Sequence, residues 1–97
     1  MKQTLVQMEL PLFTLQLGSS ECRFDSVDGI VTYLQERIES HKAARYIGTF
    51  DHYAHTAQLP EGQIASDIVS AVNLIFCFGF TLQDPVQLAA RPCSIGI

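Results

Sequence analysis

Leu74-Ile75-Phe76-Cys77-Phe78-Gly79-Phe80 is an unbroken apolar run of seven residues, and it constrains the fold more than any other segment. A run of that kind reads as a strand buried on both faces, in the middle of a sheet. Successive strand residues point to opposite faces. Leu74, Phe76, Phe78 and Phe80 therefore share one face, and Ile75, Cys77 and Gly79 share the other. Each face needs a cover: helices on one side, a second copy of the chain or a ligand cavity on the other. The run is far short of the ~20 residues that a membrane helix needs.

Around this strand the periodicities predict further elements. Val27, Ile30, Val31, Leu34 and Ile38 form one apolar stripe of a helix from Val27 to about His41. Asp25 or Ser26 can cap its start. Ala44 to about Ala54 has strand character, with a bulge expected at Gly48. Ile64, Ala65, Ile68, Val69 and Val72 suggest a second amphipathic helix, about Glu61 to Val72. Asp84-Pro85 opens a short helix that Pro92 stops, and Cys93 to Ile97 reads as a last strand. Upstream, Leu10 to Leu17 and Ser20 to Phe24 read as a hairpin turning at Gly18-Ser19. The order is strand-strand-helix-strand-helix-strand-helix-strand. It implies an α+β fold: a two-layer sandwich, with a mixed sheet of about five strands and two main helices on one face.

Length and charge narrow the function classes. Ninety-seven residues make a single domain, 1–97, because a second core would be too small to fold alone. With 47 % apolar and 16 % charged residues the chain is not intrinsically disordered. A net charge of −4 opposes general binding to nucleic-acid phosphates or anionic lipid. Gln7 and Glu9 interrupt the first apolar stretch, so no secretory signal is expected and the protein reads as cytoplasmic. Cys22, Cys77 and Cys93 are an odd set without CxxC spacing, which argues against a zinc knuckle or disulfide framework. Cys77, inside the apolar run, is expected to be a small buried hydrophobe.

Titratable groups concentrate in one stretch. All three histidines lie between His41 and His55, with Lys42 and Arg45 among them. If residues 50–55 stay extended, Asp51, Tyr53 and His55 point one way and His52 the other. His41, Arg45, Asp51, His52, Tyr53, His55 and Arg91 are therefore candidate ligand-binding residues. Arg45 and Arg91 suit an anion, because a guanidinium matches a carboxylate or phosphate bidentately. Their structural alternative is an ion pair with Asp51 or Asp84. Asp51, His52 and His55 are weaker candidates for a metal site, with Tyr53 or Cys93 nearby for catalysis. No phosphate loop, nucleophile elbow, HExxH or paired-carboxylate motif is present, and the sequence names no cofactor.

Two strings carry a resemblance. One runs from His41-Lys42-Ala43-Ala44-Arg45 into Phe50-Asp51-His52-Tyr53-Ala54-His55-Thr56. The other is Phe76-Cys77-Phe78-Gly79, then Leu82, Asp84-Pro85, Leu88-Ala89 and Arg91-Pro92-Cys93-Ser94-Ile95-Gly96. Together they resemble a family of small bacterial cytoplasmic proteins of unknown function. The resemblance implies a compact α+β domain and supplies no activity. The residues themselves point first to a non-catalytic domain, sensory or binding a small anion or metabolite, and to a homodimer. A metal-dependent or His-based small enzyme and a protein-interaction module are the alternatives.

Overall fold

The computed structural model describes residues 3–97. Its elements in order are α1 (Val27–Ser40), β1 (Ala44–Asp51), α2 (His52–Ala57), β2 (Val72–Phe78), a 3-10 helix (Pro85–Ala90) and β3 (Cys93–Gly96). The apolar run supplies the central strand: the sheet order is β1-β2-β3, antiparallel throughout. Ala44 pairs with Phe78 and Asp51 with Val72 on one side of β2. Phe76 pairs with Cys93 on the other, and Asn73 with Gly96. Val72 and Ile97 exchange both backbone hydrogen bonds at 2.8 Å, which extends that ladder by one residue. The expected irregularity near Gly48 is present: the β1–β2 register shifts between Tyr46 and Gly48. That shift keeps Tyr46 and Thr49 on one face, where their hydroxyls hydrogen-bond to each other.

α1 forms where its apolar stripe predicts. Ser26 is the N-cap, its Oγ accepting from the Gly29 N–H at 3.1 Å. Leu34 and Ile38 of α1 approach Ala44, Phe76 and Phe78 of the sheet. Leu74 points to that same face by strand alternation and is 0 % exposed. Asp84 caps the 3-10 helix, its carboxylate accepting from the Val86 N–H at 3.0 Å. Gly79 ends β2 with φ of +109°, a conformation that only glycine adopts without strain.

Several expectations are corrected. The sheet has three antiparallel strands rather than about five mixed ones, and one long helix rather than two. Residues 10–17 and 20–24 form no hairpin; the turn there is closed by Glu21 N–H donating to the Gly18 carbonyl. The apolar alternation of this segment changes parity between Leu12 and Phe13, and Pro11 lacks a donor. No single register can therefore serve both halves. Nor does the stretch Glu61 to Val72 form a helix. Val72 belongs to the sheet, held by Asp51 and Ile97 at once. Gly62 closes a turn on the end of α2, where an added Cβ would collide with the Thr56 carbonyl oxygen. The strand expected to run to Ala54 stops at Asp51. Cys77 is exposed rather than buried. Among the described residues, no helix is long and apolar enough to cross a membrane.

Leu74 is the side chain most completely enclosed by this arrangement. Leu74→Ala should therefore cost about 2–5 kcal/mol, the usual penalty for truncating a buried leucine. Urea denaturation followed by circular dichroism should show a lower midpoint or no folded baseline. An unchanged midpoint would mean that Leu74 does not organise the core.

Candidate functional site

The seven candidate residues separate into two groups at opposite ends of β1. His41, Arg45 and Arg91 surround the end of β2. The His41 ring lies 5.2 Å from the Phe78 ring, and its Nδ1 accepts from the Ala43 N–H at 3.1 Å. Arg45 stands opposite Cys77 in the ladder. Arg91 donates from Nη1 to the Phe78 carbonyl at 3.2 Å. Asp51, His52, Tyr53 and His55 lie at the other end. The seven residue steps from Ala44 to Asp51 correspond to roughly 23 Å of strand. One small anion cannot reach both groups.

Within the second group the structure places His52, Tyr53 and His55 on α2 rather than on an extended strand. The reason is local. Asp51 is the helix N-cap, its carboxylate accepting from the Ala54 N–H at 2.9 Å. Asp51 is thus engaged in starting the helix. The helical His-x-x-His spacing turns both imidazoles toward Phe50, at centroid distances of 4.9 Å for His52 and 5.5 Å for His55. Among the described residues, no group of three or more His, Cys, Asp or Glu side chains is arranged to hold a metal ion.

Tyr53 ties α2 to the segment before β2 through its N–H, which donates to the Ala71 carbonyl at 3.1 Å. Beside it, His52, Tyr53, Thr56, Ile64 and Ile68 line an open cleft of about 190 Å³. That is smaller than the ~300–1,000 Å³ usual for organic ligands. It offers two hydroxyls and an imidazole but no cationic pair.

A larger feature lies at the other end of the molecule, and sequence reasoning missed it. Ile47, Cys77, Phe80, Leu82, Leu88 and Arg91 line a groove of about 450 Å³. Its apolar members are exposed: Phe80 at 78 %, Leu82 and Leu88 at 59 % each. The N-terminal segment is exposed as well, with Leu12 at 93 %, Phe13 at 94 % and Leu15 at 81 %. The signal was present in the sequence. Residues 3–17 hold eight large apolar side chains and one charge, Glu9. Leu10 to Leu17 have strand composition, but among the described residues no strand pairs with them.

These features define a small α+β protein with one helix-covered sheet face and a largely open apolar surface. Residues 1–97 match the model of a family of unknown function, DUF6858, and the chain belongs to that family. No curated protein and no solved structure matches it.

The capping role of Asp51 separates its carboxylate geometry from its charge. Asp51→Ala should cost roughly 0.5–2 kcal/mol and speed amide exchange across α2, whereas Asp51→Asn should largely preserve both. Hydrogen exchange read by NMR checks this. Equal loss in the two variants would show that the negative charge, rather than the cap, is what matters.

Proposed function

We propose that this chain is a protein-interaction module whose apolar surface is completed by another polypeptide. The carrying observation is the area left uncovered. The accessible surface is 8674 Å², against about 5,500 Å² for a compact monomer of 10.8 kDa, an excess of roughly 3,100 Å². The radius of gyration agrees: 16.7 Å against about 12–13 Å for a compact chain of this length. Only Ile38 and Leu74 are buried hydrophobics among the described residues. Leu12, Phe13, Leu15 and Phe80 are each more than three-quarters exposed, and contiguous exposed apolar patches mark association sites.

The alternatives draw less support. A small anion could meet only His41, Arg45 and Arg91 at one end of β1, and the Arg91 guanidinium there already donates to the Phe78 carbonyl. A metal or His-based enzyme would need Asp51 free to join the histidines, but its carboxylate accepts from the Ala54 N–H. The interaction reading needs neither.

Light scattering coupled to size exclusion, with small-angle X-ray scattering, tests the proposal. The purified chain should elute with a mass above 10.8 kDa, or bind an apolar dye strongly when held monomeric by dilution. A monodisperse monomer with a radius of gyration of about 12–13 Å and no dye binding would overturn it, because the excess surface would then be buried within one chain.

A further inference from the structure

We infer that the other polypeptide is a second copy of this chain, and that residues 12–17 of each copy dock into the groove of the other. This rests on the interaction reading above and specifies its partner. The N-terminal segment behaves as two halves. Val6, Met8 and Leu10 lie against their own chain, along a crevice shared with Val86, Ala89 and Ala90 of the 3-10 helix. Beyond Pro11, Leu12, Phe13 and Leu15 are each more than four-fifths exposed, and Leu17 is about half exposed. Among the described residues, no backbone group of residues 3–17 pairs with another backbone group. Leu12 to Leu17 is thus an uncharged segment whose apolar side chains are largely exposed and whose backbone groups pair with no other backbone group among the described residues.

The groove lined by Ile47, Cys77, Phe80, Leu82 and Leu88 has the matching chemistry. It is apolar and open, and its one cation, Arg91, is already directed at the Phe78 carbonyl. Each chain therefore carries both an apolar insert and an apolar receiver. That permits a closed, two-fold exchange, in which the same contact is made twice. The areas are compatible. Stable obligate dimers bury about 2,000–5,000 Å² in total, or about 1,000–2,500 Å² from each copy, which the excess surface of one copy, roughly 3,100 Å², is large enough to supply.

Photo-crosslinking in the full-length chain tests this. Benzoylphenylalanine replaces Phe13, and copies at natural isotope abundance are co-refolded with ¹⁵N-labelled copies before irradiation. Mass spectrometry should find cross-linked peptide pairs of mixed isotope content joining residue 13 to the segment 75–92. Those pairs should be lost when the receiving copy carries Leu82→Asp, an exposed site whose change leaves the sheet intact. A probe at Leu12 serves if the first variant does not fold. Cross-links confined to single-isotope pairs would place the arm on its own chain and overturn the inference. An oligomer without cross-links to 75–92 would overturn the arm exchange and leave the interaction reading standing. A monomer that gives neither oligomer nor dye binding would remove both.

Discussion

The pairing of β2 on both sides is the interaction on which the rest of the structure depends. Among the described residues, β2 is the only strand with two neighbours, and its Leu74 is the one side chain completely removed from water. Everything else is attached to that ladder. α1 lies over it through Ile38 and Leu34. α2 begins where β1 runs out, at Asp51 opposite Val72. The C-terminal end is held by the Val72–Ile97 pair. A three-stranded sheet with one long helix buries little, and hydrophobic stabilisation scales with the apolar area removed from water. The central pairing organises the chain without supplying much of a core.

That shortage gives the open surface its meaning. Both long edges of the sheet, β1 and β3, are unpaired on their outer sides. The groove on the face away from α1 and the arm before it are apolar without cover. A chain with 47 % apolar residues has enough hydrophobic material for a full core, yet only part of it meets within one copy. In the proposed dimer, the remainder would be brought together from two chains. Several of the candidate polar residues have local structural contacts. Asp51 caps α2, Arg91 holds the Phe78 carbonyl, and the histidines pack on Phe50 and Phe78.

What could be read from the sequence followed from how local its causes are. The strand at Leu74–Phe78, the Ser26-capped helix, the irregularity before Gly48 and the Asp84-Pro85 helix start each depend on a few adjacent residues. The misread segments depend on distant ones. Ile64, Ile68 and Val72 have helical spacing, but Val72 is claimed by Ile97, twenty-five positions further on, and the helix is lost. Leu10–Leu17 has strand composition, but a strand needs a neighbour, and the described residues provide none. α2 was the avoidable miss, because Asp51 followed by Ala54 fits an ordinary N-cap. The candidate site fared likewise: residues close in sequence between His41 and His55 are carried to opposite ends by the length of β1.

The central claim is that folding and association are one process, and the protein-concentration dependence of the urea midpoint tests it most directly. If two copies share a core, unfolding is also dissociation, and mass action requires the midpoint to rise as concentration is raised. The account predicts that rise, with circular dichroism and light scattering changing together. A midpoint that stays constant over a wide concentration range, with the scattering mass at 10.8 kDa throughout, would contradict it.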